Sequence, residues 1–351
     1  MKKIPESSDL YTIQDYDIQK VDTDEWNDLL SRSAICDAFQ TYEWALVLRN
    51  SMNVKPTFLV VRHRSKMIGG VIILKKKFFG MFDSYEIRGG PLYVGENRTI
   101  VMKRIVETLK ERTGKAIYSL FIPFPAINHA FLNIFLNEGY HPFPFRTIII
   151  DLRKPLDLIW SALDKKARWG VRKAERMGLR AKVADTWQEW EEYYHLHTLH
   201  SREKQYPARP LNFFEEMFKL HDKDMSRLFL AESGKKLVAG SLFLVYNSNM
   251  IFLQNAWLDS FRKYNPNNLI QWKSIEWAKE NGVEAYDING LPPEEIKYLH
   301  GIYDYKKRWD GQIHWFYYYV NRRSLYAGMR LIRSNQLAWK IFSRFRSYGA
   351  V

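Results

Sequence analysis

The stretch FLVVRHRSKMIGGVIIL at residues 58–74 predicts a strand, a short turn and a second strand that is entered through two glycines. The stretch LFLAESGKKLVAGSLFL at 228–244 repeats this plan at an offset of 170 residues (58 to 228), with Gly240 at the matching entry. A second pair, ERTGKAIYSLFIPFP at 111–125 and KENGVEAYDINGLPP at 279–293, carries a helix into a strand at an offset of 168 (111 to 279). A period this long indicates duplication of an α+β domain, because solenoid repeats run about 20 to 50 residues. We therefore expect the functional site in the cleft between the two copies.

Length and composition predict a soluble two-domain protein with excess positive charge. The 351 residues are 46% hydrophobic and 26% charged, with a formal net charge of +14, which favours anionic partners such as nucleic acid, nucleotide-bearing substrates or an acidic lipid surface. The longest apolar runs fall short of the roughly 18 to 20 residues that a spanning helix needs, and the first ten residues lack the apolar segment of a secretion signal. The single cysteine, Cys36, excludes an internal disulfide and is expected to be a buried thiol. We expect a cytoplasmic protein, with the inner face of the membrane as a further option.

The boundary between the copies is predicted at HPFPF, residues 141–145, because closely spaced prolines favour an extended connector. The first domain is expected at 1–146 and the second at 147–321. The oligomeric state is left open, and a monomer is compatible with the sequence. The predicted elements include strands at 16–21, 85–88, 116–122, 250–257 and 286–289, and helices at 100–112, 127–137, 156–163, 165–178, 187–198, 210–220 and 266–281.

The tail of the chain differs in character from the rest. Residues 322–346 contain seven basic residues and no acidic one, interleaved with large apolar side chains. Such a pattern is typical of an amphipathic helix on an anionic membrane or along RNA. Packing of the apolar side on the first domain is the interpretation we favour for 322–351.

The segment 164–182 carries the first signal of chemistry, with eight basic and two acidic residues. At about 100° per residue, Lys165, Arg168, Arg172 and Arg176 fall on one stripe of a helix, and small residues cover the opposite face: Ala167, Val171, Ala174 and Gly178. Guanidinium groups bind phosphates bidentately. The stripe, with Lys173 beside it, therefore predicts a phosphate-binding surface, and a solvated helix face is the alternative.

Several segments together resemble the Fem family of non-ribosomal peptidyl transferases. They are TIIIDL (147–152), KKARWGVRKAERMG (165–178), YDINGL (286–291) and HGIYDYKKRWDG (300–311), with a weaker match at FQTYEWALVLRN (39–50). The resemblance implies two GNAT-like domains in tandem, each a mixed, mostly antiparallel sheet with flanking helices. It also implies transfer of an amino acid from aminoacyl-tRNA to an amine of a peptidoglycan-type or related cell-envelope peptide precursor, nucleotide- or lipid-linked, without a cofactor.

The sequence departs from the family pattern at three places. Tyr305 stands where phenylalanine is usual, Trp309-Asp310-Gly311 replaces an aromatic–Gly–Gly ending, and Leu48 followed by Arg49 stands where a lysine is common after the early tryptophan. The second copy also lacks an inserted charged helical hairpin. The chain is therefore closer to the compact members that act on soluble nucleotide-linked precursors.

The resemblance also implies site residues. Aminoacyl transfer builds negative charge at the ester carbonyl, and Lys306 aligns with the family's late lysine, between a predicted turn at Gly301 and a strand at 313–320. We expect Lys306 and Asp287 to be catalytic, Asp287 by orienting the attacking amine; a basic loop and a turn-forming aspartate are the alternatives. The expected substrate-binding residues are Arg168, Arg172, Lys173, Arg176, Arg202, Arg209, Asn289, Lys307, Arg308, Trp44 and Arg49. Arg202 and Arg209 flank the predicted loop 201–210, and either is a candidate for the precursor's phosphates.

Other chemistries find less support in the sequence. Cys36 has no neighbouring histidine, and no Gly-x-Ser-x-Gly elbow occurs, so covalent catalysis is not expected. His195 and His197 point about 200° apart on a helix, so no metal site is expected. A helix opens at Pro266 where GNAT proteins receive the pyrophosphate of coenzyme A, but its loop is not glycine-rich. An acyl-CoA N-acyltransferase acting on a sugar or peptide amine is the alternative function, and a non-catalytic nucleic-acid-binding protein is a third.

Overall fold

The computed structural model describes residues 11–33, 36–78, 81–113, 116, 118–123, 130–292 and 296–321, with 328, 331–332, 335 and 337–338. The described residues divide into two compact units. Unit 1 takes in 11–144 and 316–321, and unit 2 takes in 145–315. The domain boundary predicted at 146/147 lies two residues beyond the division at 144/145, and residues 316–321, predicted at the end of the second domain, belong to unit 1.

Unit 1 is a mostly antiparallel sheet with helices. Its elements are β1 (Tyr11–Asp17), α1 (Thr23–Arg32), α2 (Tyr42–Ser51), β2 (Lys55–His63), β3 (Lys66–Phe78), β4 (Phe82–Arg88), β5 (Leu92–Tyr93), α3 (Arg98–Thr113), β6 (Tyr118–Ile122) and α4 (Leu132–Asn137). Strands β1 to β4 are antiparallel neighbours, and β6 then joins β4 in parallel. Apolar residues of β2, β3 and α3 form its core, including Leu59, Val71 and Ile105.

Unit 2 repeats this arrangement. The strand β7 (His141–Asp151) leads into it, followed by α5 (Leu156–Ala162), α6 (Lys165–Arg176), β8 (Leu179–Val183), α7 (Trp187–Lys204), α8 (Leu211–His221), β9 (Ser226–Ser233), β10 (Lys236–Tyr246), β11 (Asn249–Trp257), α9 (Pro266–Glu280), β12 (Ala285–Asp287), α10 (His300–Lys307) and β13 (Gln312–Val320). Strands β8 to β11 are antiparallel neighbours, and β12 joins β11 in parallel. The end of β13 pairs with β6 in unit 1, whereas β7 pairs with β12 in unit 2.

The duplication is visible at single-residue register. Val60 lies opposite Gly70 in β2 and β3, and Leu230 lies opposite Gly240 in β9 and β10, so the two hairpins share one register at the predicted offset. A Cβ built on Gly70 would lie 2.8 Å from the Trp26 ring, and one on Gly240 would lie 2.5 Å from the Tyr193 ring. The repeated glycine therefore lets an aromatic ring from a helix pack directly on the strand backbone.

Local rules explain the helix ends that the sequence predicted correctly. The Thr186 hydroxyl accepts from the Glu189 N–H and the Glu189 carboxylate accepts from the Thr186 N–H, a complete capping box at the start of α7. Pro266 opens α9 at its first position, where a missing N–H costs nothing. No helix of the described ranges has both the length and the apolar character to span a bilayer.

Several predicted elements need correction. HPFPF is the first half of β7 and not a separate connector, the strand expected at 16–21 lies earlier at Tyr11–Asp17, and β8 was not predicted. Residues 201–204 belong to α7, so the loop is 205–210. Gly301 lies inside α10, which places Lys306 on a helix. The helix expected at 127–137 is described only from 130 onward, and most of the predicted tail helix lies outside the described residues.

Candidate active site

A cluster of side chains and backbone carbonyls lies where β12 ends in unit 2. Strands β11 and β12 pair only from Asn249 to Ile251 and from Ala285 to Asp287. Beyond that point Asp287 Oδ1 accepts from the Asn289 N–H at 2.7 Å and from the Thr147 hydroxyl. Asn289 has a φ of 58°, a left-handed conformation that asparagine tolerates better than most residues. Asp287 therefore acts as the turn former that holds the chain at the strand end.

The Asn289 side chain ties this turn to the neighbouring strand. Its Nδ2 donates to the Phe252 carbonyl at 3.0 Å. Phe252 is the first residue of β11 beyond its pairing with β12. The Asn289 side chain therefore links β11 to the chain after β12 at the point where backbone pairing of the two strands has ended.

Lys306 reaches this turn from α10. Its Nζ donates to the carbonyls of Ile288 at 3.0 Å and Gly290 at 2.9 Å, and also to the carbonyl of Asn289. An ammonium group has three hydrogens, so three carbonyls match its donors. Burial lowers the pKa of Lys306 to about 8, although the Asp287 carboxylate opposes that shift. Near neutral pH the group is a cation whose charge is poorly solvated, and it loses that charge within a mildly alkaline range.

Three contacts fix the helix that carries Lys306. The Tyr305 hydroxyl donates to the Asn267 carbonyl at the start of α9 at 3.0 Å. Trp309, just after the helix, is fully buried. Gly311 is required by close approach, because a Cβ there would lie 2.3 Å from Ile148 Cγ2 on β7. The turn Trp309-Asp310-Gly311 therefore places α10 against the core.

The α6 helix has one buried face and one cationic face, as predicted. Ala167, Val171 and Ala174 are buried, with Gly170 beside them. A Cβ on Gly170 would lie 2.6 Å from Asn268 Nδ2, and Asn268 donates to the Ala167 carbonyl. Gly178, expected on this buried face, is exposed and lies beyond the helix with a φ of 74°. Gly170 is the small residue that permits the close approach of α6 to α9.

The basic side chains of α6 contact a backbone carbonyl and an aromatic ring, and they make no contact with an acidic side chain among the described ion pairs. Arg168 donates to the Ser161 carbonyl at 2.8 Å, and the Arg172 guanidinium lies 5.5 Å from the centre of the Trp160 ring. No ion pair among the described residues involves a basic residue of α6. Their positive charge is thus not neutralised within the described structure.

One backbone hydrogen bond joins the start of α6 to the end of α10, the helix that carries Lys306. The Asp164 N–H, at the cap of α6, donates to the Arg308 carbonyl at 3.0 Å. Arg308 is the C-cap of α10. Lys307 is exposed, and its ammonium lies 5.1 Å from the Tyr303 ring centre. The cationic helix therefore begins where the helix carrying Lys306 ends.

The two candidate phosphate ligands near α7 differ in environment. Arg202 is an exposed residue of α7. Arg209 lies in the following loop, with its guanidinium 4.3 Å from the Phe213 ring centre and its N–H donating to His197 Nε2 at 3.0 Å. Burial, and then the Arg209 charge, lowers the pKa of His197 to about 3. His197 is therefore a neutral acceptor that holds the Arg209 loop, a role that its sequence position did not reveal.

The remaining predictions fall in unit 1 or concern metals. Trp44 is 2% exposed, packs on Phe39 and lines a small pocket with the paired Lys76 and Glu86. Arg49 is exposed on α2. Within the described ranges no group of His, Cys, Asp or Glu has the arrangement of a metal site. The substrate-binding roles of Trp44 and Arg49 stay predictions.

The chain is similar to known proteins over unit 2 and beyond. Residues 161–307 match the acetyltransferase (GNAT) domain family, a range that contains α6, the β12 turn and Lys306. The chain is 23% identical over 225 residues to the UDP-N-acetylmuramoylpentapeptide-lysine N(6)-alanyltransferase of Weissella viridescens, covering 58% of this chain and 66% of that enzyme. It is 25% identical over 88 residues to the lipid II:glycine glycyltransferase of Staphylococcus haemolyticus, covering 24% of this chain and 21% of that enzyme.

A solved structure shares the fold over nearly the whole chain. The crystal structure of FemX aligns with a TM-score of 0.68 at 15% identity, covering 90% of this chain and 99% of that one. The predicted tandem arrangement of GNAT-like domains is therefore confirmed. The chain spans less than two thirds of the length of these two curated transferases.

Proposed function

We propose, on the premise that this chain is a Fem-like homologue of these transferases, that it transfers an amino acid from aminoacyl-tRNA to an amine of a peptidoglycan-type or related cell-envelope peptide precursor. The named relatives are an alanyltransferase acting on a nucleotide-linked precursor and a glycyltransferase acting on lipid II. Both are aminoacyltransferases, and the donor follows from the Fem resemblance.

The observation that carries the proposal is the contact between the cap of α6 and the end of α10. A donor of this class carries many phosphates and one reactive ester, so its site needs a cationic surface continuous with a group that stabilises an oxyanion. The Asp164 N–H to Arg308 carbonyl bond joins the helix with unneutralised cations to the helix that carries Lys306. Unit 2 thus offers a candidate for each requirement, α6 for the phosphates and Lys306 for the oxyanion.

In the proposed reaction the acceptor amine nitrogen attacks the ester carbonyl carbon. The C–N bond forms, the C–O bond to the ribose breaks, and the proton lost by the amine passes to the ribose oxygen directly or through water. Lys306 supplies positive charge while the carbonyl oxygen is negative. Since three carbonyls face its ammonium hydrogens, a direct hydrogen bond to the oxyanion requires Lys306 to release one of them.

Asp287 and Asn289 act in this proposal by holding the turn. The Asp287 carboxylate fixes the Asn289 N–H, and the Asn289 amide fixes β11, so the carbonyls that position Lys306 stay in place. Arg209 is the favoured ligand for the acceptor's phosphates because His197 and Phe213 already hold its loop. Arg202, exposed on α7, is the second candidate.

The net charge of the chain bears on its partners and its location in the cell. A net charge of +14 favours peripheral contact with an anionic membrane surface, where lipid-linked precursors reside. We propose a monomer that works in the cytoplasm, at or near that surface.

An acyl-CoA N-acyltransferase is the second candidate, favoured by the description of the matched domain family. One assay separates the two functions. The protein is incubated with labelled aminoacyl-tRNA or labelled acetyl-CoA and a panel of amine acceptors, including nucleotide- and lipid-linked peptide precursors. We expect label to pass from aminoacyl-tRNA to product, whereas transfer only from acetyl-CoA would refute the proposed donor.

A further inference from the structure

Trp169 lies in the middle of the cationic face of α6. At about 100° per residue it falls between Arg176 and Lys173, on the side of the helix opposite to Ala167 and Ala174. Its side chain is 52% exposed. An exposed tryptophan at this place contributes little to the packing of α6 on α9, because that contact uses the other face.

A basic side chain of the same helix contacts the Trp169 ring. The Lys173 ammonium lies 4.7 Å from the Trp169 ring centre, a distance typical of a cation–π contact. The Lys173 side chain covers one part of the ring, and the exposed half leaves area for another planar group. A fixed aromatic ring among cations is the arrangement by which proteins bind unpaired nucleotides, since bases stack on the ring and phosphates meet the cations.

A lipid surface fits this face less well. Interfacial helices insert a broad apolar side of several large residues. The cationic arc of α6 offers one aromatic residue among six basic ones, four exposed (Lys165, Lys166, Arg172 and Arg176) and two half-buried (Arg168 and Lys173). The acidic Glu175 lies at the edge of this arc, beside Arg168. Charge and shape therefore favour a phosphate-rich polymer over a bilayer.

A double-stranded RNA stem also fits less well than an unpaired end. Bases inside a stem are stacked on each other and their faces are closed to a protein ring. We propose that Trp169, with Lys173, is a stacking platform for an unpaired base of single-stranded RNA, and that α6 thereby recognises the unpaired 3′ end of its donor. The inference rests on the proposed function only for the identity of that donor.

The position of the platform suits the reaction. Trp169 lies on α6 about one turn after its first residue, and the cap of α6 contacts the end of α10. Trp169 therefore lies on the helix whose first turn adjoins the segment carrying Lys306. In this proposal the unpaired strand runs along α6 towards that first turn.

The test uses uncharged RNA, so that it does not depend on catalysis. Two hairpin RNAs of identical stem are compared, one blunt and one with a four-nucleotide unpaired 3′ end, by fluorescence anisotropy at several salt concentrations. We expect the wild-type protein to prefer the unpaired end. Trp169→Ala should weaken its binding by about 5- to 150-fold, the range for loss of one base stack, with an unchanged salt slope. Trp169→Phe should retain most of the affinity, and the blunt hairpin should be insensitive to both changes.

The matched control is Leu158→Ala, which removes another exposed apolar side chain of unit 2, 55% exposed on α5. It should leave RNA binding unchanged, and all variants should keep the wild-type melting temperature. Equal effects of Trp169→Ala on both hairpins, or no effect on either, would overturn the inference. Trp169-dependent binding to vesicles of anionic phospholipid, without a preference for the unpaired RNA, would overturn it in favour of a membrane contact. Preference for the unpaired end without any aminoacyl transfer would uphold the platform and refute the proposed function.

Discussion

The low pKa of Lys306 gives the proposed reaction a recognisable pH dependence. With a pKa of about 8, the ammonium is about 90% charged at pH 7 and about 10% charged at pH 9. Over the same range the neutral fraction of an aliphatic amine acceptor rises about tenfold per pH unit, because its own pKa is near 10.4. The logarithm of the transfer rate should therefore rise with a slope of about 1 below pH 8. It should be nearly level between pH 8 and 10, as the loss of Lys306 charge cancels the gain in free amine.

The assay is single-turnover transfer from labelled aminoacyl-tRNA at fixed ionic strength between pH 6 and 10, corrected for spontaneous ester hydrolysis. Lys306→Arg is the matched variant, since a guanidinium stays charged throughout. Its rate is lower, but its slope should remain about 1 above pH 8. A wild-type slope that stays near 1 up to pH 10, or an Arg variant that levels off like the wild type, would refute the reasoning that the Lys306 charge acts in the transition state.

Further predictions concern the packing and the charge of α6. Gly170→Ala should lower the free energy of unfolding by about 1–3 kcal/mol in urea denaturation, because its Cβ would lie 2.6 Å from Asn268 Nδ2. The control is Gly301→Ala, a helical position with nothing within 4 Å of the new Cβ. This change should leave stability unchanged or raise it by up to about 1 kcal/mol. Equal effects at both positions would contradict the proposed α6–α9 contact. The double variant Arg168→Glu, Arg172→Glu should bind tRNA more weakly and with a flatter salt dependence. The control double variant Lys235→Glu, Lys236→Glu, at the β9–β10 turn, should bind tRNA like the wild type. An unchanged salt slope in the α6 variant would count against a phosphate-binding helix. Between about pH 8 and 10.5 the free energy of unfolding should rise more steeply with pH in the wild type than in Lys306→Met. In this pH range folded Lys306 has lost its proton, whereas the unfolded chain still binds it. Identical curves for the two proteins would show that Lys306 is not desolvated.

The features that the sequence predicted well depend on periodicity. The two hairpins share a pattern of β-branched and aromatic residues, so their strands and their common register were accessible from the 170-residue offset. The faces of α6 followed from helical spacing, and the capping box followed from Thr186 and Glu189. Such signals are local, and the tertiary structure did not override them.

The features that were not predicted depend on contacts between distant segments. Gly301 suggested a turn, but burial of Tyr303 and Trp309 holds 300–307 as a helix. The prolines of HPFPF suggested a connector, but they lie in β7, which sheet pairing extends. The carbonyls around Lys306 belong to the backbone, which carries no residue-specific signal. His197 beside Arg209 could not be told from a core histidine by spacing alone.

The most direct test of the central claim is the single-turnover rate of Lys306→Ala, at saturating donor and acceptor at pH 7.5. Loss of one group that stabilises an oxyanion costs about 10²- to 10³-fold in rate. The proposal predicts a loss of that size with little change in the affinity for tRNA or precursor, since the cations of α6 still hold the phosphates. Near wild-type turnover, or a loss that saturating substrate restores, would contradict a role for Lys306 in the transition state.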